Sequence, residues 1–302
     1  MYFLKTINYN VSGESTSQRQ AIDLTAYYRA FGFIDSVQLK KVEMIKELYK
    51  QNPNSRLLPD LASSVIKHLF ADGFINRNKF KGVLECLQSI ISDLGYSELT
   101  NDGLSNYLNV PPTKIHNVMM IAGCQNPPML DARIDKAVEI AVHFQNNIHV
   151  VASGANPDKS KPAKIGDESA RMINLFTTGI NKHIEDKSKR PKIEVIPEGQ
   201  SINTKDNVSK FFEGNFLQKT SSNKVNQIIV VSSTSHLIRL SRDIETYIEK
   251  NKSTLDCKIA NIVLAGSEGL DKVFHIDNDH LFKHMMLEIY DYLIEKKYGI
   301  GG

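Results

Sequence analysis

Ile193-Glu-Val-Ile-Pro-Glu-Gly-Gln-Ser-Ile-Asn-Thr-Lys-Asp-Asn207 is the stretch on which the fold turns. Ile193 to Ile196 reads as a short strand, and an amphipathic stretch opens near Lys205. Between them, Glu198, Gln200, Ser201, Asn203 and Thr204 all carry hydrogen-bonding side chains. A polar loop running from a strand's C-terminal end into a helix is one step of an open α/β sheet. Such sheets place their ligands there.

The same step recurs on either side. Val118-Met-Met-Ile-Ala122 and Ile148-His-Val-Val-Ala152 read as strands, followed by helices from about 130 to 145 and 167 to 178. A helix from about 205 to 217 leads into Ile228-Ile-Val-Val-Ser232. Then come a helix from 235 to 249, a fifth strand from Ile259 to Leu264 and a closing helix from 278 to 296. Short apolar runs alternating with helices predict a doubly wound, mostly parallel five-stranded sheet covered on both faces.

Residues 1–110 have another texture. Val37, Met44, Ile45 and Leu48 fall at helical spacing, and Leu57 to Phe70 and Lys79 to Leu94 repeat the pattern. Pro111-Pro112 breaks the chain. The expectation is an all-helical N-terminal region over 1–110 and an α/β domain over 111–302.

Four strands end in small or polar residues: Gly123-Cys124-Gln125, Ser153-Gly154-Ala155-Asn156, the Glu198 to Asn207 loop, and Ser232-Ser233-Thr234-Ser235-His236. Ordinary turn chemistry accounts for any one of them. A parallel sheet, however, brings all four to one edge, where they can share a crevice. Glycine at Gly123 and Gly154 lets backbone approach a ligand closely.

Composition sets the class. Of 302 residues, 41% are hydrophobic and 24% charged, ordinary for a globular protein. A net charge of +3 without a concentrated basic block gives no footprint for nucleic acid, and the Lys187 to Lys192 patch reads as a solvated loop. No apolar run approaches the roughly 20 residues of a membrane span. Met1-Tyr-Phe-Leu-Lys-Thr lacks the layout of a secretory signal, so the expected location is the cytoplasm. Three cysteines without a C-x-x-C pair argue against a disulfide framework or a zinc site. His275, His280 and His284 give an H-x-x-x-H spacing, but Lys283 stands where the zinc-protease motif carries glutamate, and no metal is expected. Nucleophile-elbow, Walker and G-x-G-x-x-G motifs are absent.

Within the tips, Thr204 reads as a helix N-cap with Asn207 reciprocating three residues on. The helix start offers N–H groups and a positive dipole end to an anion, with Ser201 and Asn203 completing the cradle. His236 and Arg239 stand at i and i+3, a proton carrier beside a cation suited to phosphate or carboxylate. Glu168 opens a helix, where it either complements the dipole or serves as general base or acceptor for a ribose hydroxyl.

Taken in order, Ile121-Ala-Gly123, Arg133 in Asp-Ala-Arg-Ile-Asp-Lys-Ala137, Ala152-Ser-Gly154, Glu168, Glu198, Ser201-Ile-Asn-Thr-Lys-Asp-Asn207 and Ser235-His-Leu-Ile-Arg239 resemble the SanA/YdcF-like family. This is a bacterial family long labelled a domain of unknown function. The likeness covers roughly residues 117 to 265; Asp206-Asn207 replaces the family's Glu-Asn pair, and Ala155 replaces a glycine. The resemblance implies a Rossmann-like sheet with a polar pocket, a place for Arg133 in that pocket, and nucleotide-like ligands, S-adenosylmethionine among them.

Together these readings give two expectations of different kinds. One is an enzyme, a hydrolase or group transferase, that binds a phosphorylated or nucleotide-like molecule. There His236 or Glu168 handles a proton, and Gly123, Arg133, Ser153, Gly154, Glu198, Ser201, Asn203, Thr204, Asn207, Ser233 and Arg239 line the site. The other is a non-catalytic S-adenosylmethionine or nucleotide binder whose 1–110 region engages a protein partner.

Overall fold

The sheet has seven strands rather than five, and the two additions come from a segment expected to be helical. The computed structural model describes residues 2–7, 90–92, 94–108, 115–124, 127–144, 147–155, 167–184 and 192–267. The helices expected between residues 15 and 89, the Pro111-Pro112 break, the basic patch at 187–191, and the histidine cluster and closing helix beyond 267 lie outside the described residues.

In chain order the elements are β1 (Tyr2–Thr6), β2 (Ser97–Leu99), α1 (Asn101–Leu108), β3 (Ile115–Ala122), α2 (Pro127–His143), β4 (Ile148–Ser153) and α3 (Asp167–His183). They continue with β5 (Ile193–Glu198), α4 (Thr204–Glu213), β6 (Val225–Ser232), a 3₁₀ turn (Thr234–His236), α5 (Leu237–Lys250) and β7 (Ile259–Gly266). The strands lie in the order β2-β1-β7-β6-β3-β4-β5. Pairing among β3 to β7 is parallel, whereas β1 runs antiparallel to both β7 and β2. The fold is therefore α/β with a mixed, mostly parallel sheet.

The inner strands are apolar along almost their whole length because both faces are covered. Seven of the eight residues of β3 are buried, and the same holds for β6. On one face Met119, Ile121, Val150, Ala152, Ile229, Val231, Val263 and Ala265, at strand period two, join Leu130, Ile134 and Val138 of α2 and Met172 and Phe176 of α3 in a single core. The alternate positions Met120, Val151, Val230 and Leu264 are also buried. Phe211 and Phe212 of α4 and Leu237 and Ile244 of α5 bury the second layer. β5 is an edge strand, half-exposed, and carries Pro197, which an inner strand would not tolerate.

Chain direction across the sheet decides where a site can form. From β3 the chain moves outward through β4 to β5, then returns past β3 to β6 and moves the other way to β7. Right-handed crossovers put helices on opposite faces when that direction reverses. Accordingly α2 packs with α3, and α4 with α5. The reversal falls between β3 and β6, so a crevice opens past their C-terminal ends. Among the described residues, no helix is long and apolar enough to cross a membrane.

Candidate functional site

Arg133 occupies the switch point itself. It is 3% exposed and reaches from α2 to both strands that flank the reversal. Its Nη1 donates to the carbonyls of Ala122 (2.7 Å) and Gly123 (2.6 Å), and its Nε donates to Ser233 Oγ (2.9 Å). Those carbonyls end β3 and have no further strand residue to accept from. A buried guanidinium satisfies them and joins the β3 tip to the β6 tip. Arg133 and Ser233, both expected to line the site, are thus engaged in holding the sheet's edge together.

A second group of expected residues closes on itself. The Glu198 carboxylate, buried at the end of β5, accepts Ser153 Oγ and Ser201 Oγ at 2.6 Å each on Oε2, and the Gln200 N–H at 2.9 Å on Oε1. Ser153 has one proton for two acceptors, Glu198 Oε2 and, at 3.1 Å, Asn207 Oδ1. The nearer carboxylate oxygen is the stronger acceptor, and the Asn207 amide oxygen lies against the same hydroxyl. Backbone bonds run in parallel: Gly123 N–H to Ser153 O, Gly154 N–H to Glu198 O and Ala155 N–H to Ser201 O. Ser153, Glu198, Ser201 and Asn207 therefore lock the tips of β4 and β5 to α4.

The helix start differs by one residue from the expectation. Asn203, not Thr204, is the N-cap of α4: its backbone is extended (φ −153°, ψ 175°) and its side chain accepts the Asp206 N–H at 2.9 Å. Asn207 gives its N–H to Asn203 O rather than reciprocating through its side chain. Serine, threonine and asparagine all cap well, and the extended backbone at Asn203 decides among them. The Asp206 carboxylate turns back to accept the Ile202 N–H at 3.3 Å. Ile202, at the lip of this loop, is 59% exposed.

Released from capping, the Thr204 hydroxyl lies 2.8 Å from His236 Nε2. The other ring nitrogen, Nδ1, lies 3.0 Å from Ser232 Oγ at the buried end of β6. Two strands separate β5 from β6, yet the loop after one meets the loop after the other across the sheet's edge. His236 closes the 3₁₀ turn and caps α5, whose first turn carries Arg239. Arg239 is exposed, and with Lys205 and Arg242 it acts electrostatically on Asp243. Burial nevertheless pushes the Asp243 carboxyl above its usual range, and its Oδ2 accepts no hydrogen bond.

Glu168 stands over the tips of β3 and β4. A Cβ built on Gly123 would come within 2.7 Å of its carboxylate, and one on Gly154 within 2.6 Å. A side chain at either glycine would displace this carboxylate from its place over the tips. Desolvation raises the Glu168 pKa above the usual carboxylate range, opposed by the charge of Arg133, the Cys124 N–H and the charge of Arg171. Glu168 is thereby a carboxyl suited to holding a proton.

Of the thirteen side chains and glycines expected at the site, most are spent on architecture. Thr204 and His236 meet at one place and Glu168 stands at another, over the tips of β3 and β4, while Arg239 is exposed on the first turn of α5. Ser232 and Lys205 stood within the quoted tips without a role of their own, and Asp243 was not singled out in the sequence. Against known proteins, the chain matches no family model, no curated protein and no solved structure.

Proposed function

We propose that this protein is a cytoplasmic enzyme of the SanA/YdcF-like, Rossmann-like kind. It binds a phosphorylated or nucleotide-like small molecule at the C-terminal strand tips and carries out hydrolysis or group transfer. One observation carries the reading: the Thr204 hydroxyl meets the His236 imidazole across the sheet's edge, and Lys205, the residue after Thr204, and Arg239, on the first turn after His236, share an electrostatic partner in Asp243. Cations next to a hydroxyl–imidazole pair suit an anionic group held beside a proton carrier. The raised Glu168 pKa adds a second carboxyl able to give or take a proton. The same tips suit S-adenosylmethionine or a nucleotide as the ligand.

The test is a thermal-shift panel of nucleotides, sugar phosphates, inorganic phosphate and S-adenosylmethionine, followed by product analysis of any compound that stabilises. A phosphorylated ligand at 100 times its Kd is expected to stabilise by about 2.7 kcal/mol. A Lys205→Gln/Arg239→Gln variant is expected to lose most of that gain. If no anion stabilises, or the double variant responds like the parent, the reading fails. Stabilisation without consumption of any compound would instead make the protein a binder.

A further inference from the structure

We propose that Thr204 is the nucleophile of this site, with His236 as its base and Ser232 as the residue that positions the imidazole. The inference rests on the reading of the strand tips as a site for a phosphorylated molecule. It departs from that reading on one geometric fact: His236 does not meet the ligand space bare. Nε2 is covered by the Thr204 hydroxyl at 2.8 Å and Nδ1 by Ser232 Oγ at 3.0 Å. At Nε2 the Thr204 hydroxyl is the group placed to give up a proton to this ring.

The three side chains have the relation of nucleophile, base and orienter. With the ring proton on Nδ1, the imidazole donates to Ser232 and presents the Nε2 lone pair to the Thr204 hydroxyl. Ser232 is fully buried at the end of β6, and its carbonyl accepts the Ser267 N–H at 2.9 Å, so the partner of Nδ1 is held by the sheet. Thr204 is only half-buried and opens α4, a helix of 10 residues whose positive end favours charge building on the oxygen. The base is rigidly backed and the hydroxyl is accessible.

For a phosphoester, the step balances. Thr204 Oγ1 forms a bond to phosphorus while its proton moves to His236 Nε2. The bond from phosphorus to the leaving alcohol oxygen breaks, and that oxygen takes the proton from Nε2. Water, deprotonated by the same nitrogen, then attacks phosphorus, cleaves the phosphothreonine and restores the hydroxyl. No oxidant, reductant or further reactant is needed.

A fluorophosphonate probe tests this without knowledge of the substrate, since the attacking oxygen displaces fluoride and leaves a stable adduct. Intact-mass and peptide mass spectrometry of the full chain should find one adduct, on Thr204. His236→Gln should slow labelling by about 100-fold or more, Thr204→Val should abolish it, and Thr204→Ser should retain it. Ser232→Ala should slow labelling and move the pH midpoint of its rate, which a packing role alone would not do. Thermal melts of each variant separate loss of chemistry from loss of fold. No adduct on the folded parent, an adduct elsewhere, or labelling equally fast in folded His236→Gln overturns the assignment. Ligand stabilisation with no labelling sinks the nucleophile alone, whereas labelling with no anion stabilisation sinks the ligand reading alone.

Discussion

At the N-terminal edge of the sheet, Asn226 and His116 bond to backbone; at the C-terminal edge, several buried polar side chains bond to one another. The Asn226 amide holds Gln218 N–H, Gln218 O and Lys258 O, and His116 Nε2 lies 3.1 Å from Phe216 O. The half-exposed His149–Glu194 pair departs from that habit, and Asn117 Oδ1 and Gln227 Nε2, buried at the same edge, have no hydrogen-bond partner among the described residues. At the other edge, Ser153 and Ser201 meet on Glu198, Asn207 lies against Ser153, and Ser232, His236 and Thr204 form a chain of three. A side chain bonded to backbone fixes one loop against a neighbour, and nothing dissolved in water replaces that partner without unfolding it. Side chains bonded to each other, near the surface, can exchange partners with a ligand of similar polarity. The lesson is that polarity at a strand end marks a site only when its partners are other side chains.

Arg133 offers the strongest challenge to this contrast, because it lies at the C-terminal edge yet bonds mainly to carbonyls. Arg133→Met should cost about 3 kcal/mol or more in urea denaturation, since Ser233 and the carbonyls of Ala122 and Gly123 lose a charged donor. A loss below about 0.5 kcal/mol would return Arg133 to the ligand side. Next in size, Asn226→Ala should cost roughly 1–3 kcal/mol while leaving any anion-induced shift in Tm unchanged. A lost ligand response there would show that the two edges are coupled and the division is false.

The smallest effect is a pH dependence at Glu168. Its folded pKa is raised, so its proton is held more tightly in the folded than in the unfolded chain. The stability it supports is complete below the ordinary value of 4.5 and is lost as pH rises through the folded value. Glu168→Gln should therefore match the parent below that ordinary value and exceed it at neutral pH, read as Tm across a pH series. A glutamine variant that instead falls below the parent at neutral pH, with the difference closing toward acid, would assign Glu168 to an ion pair rather than a desolvated pocket.

Much of the architecture was legible because two-sided burial leaves little freedom in β3, β4 and β6. Runs such as Val118 to Ala122 and Ile228 to Val231 have few other uses in a chain of this composition. β1 and β2 were missed for the opposite reason. β2 has three residues, largely exposed, and β1 owes its shape to partners near residues 98 and 263 that no local window contains. The convergence of the tips followed from parallel pairing. Which polar residues turn inward did not, because Ser153, Glu198 and Asn207 meet across separations of 45 and 54 positions. Motif spacing pointed to the loop holding Thr204 and to His236, but only three dimensions show that their side chains touch.

The antiparallel strand β1 has a consequence for how this chain comes into being. Tyr2 pairs with Ala265 and Thr6 with Asn261, so among the described strands the first in chain order waits for the last. On a ribosome it can meet β2 first, through Tyr2 and Leu99, and hold that provisional two-stranded ribbon while β3 to β6 assemble. Closing so long a loop is the entropically dearest pairing in the sheet. Until it happens, the outer flank of β7 offers unpaired amides to any passing strand, and chaperone demand should peak at that moment of synthesis.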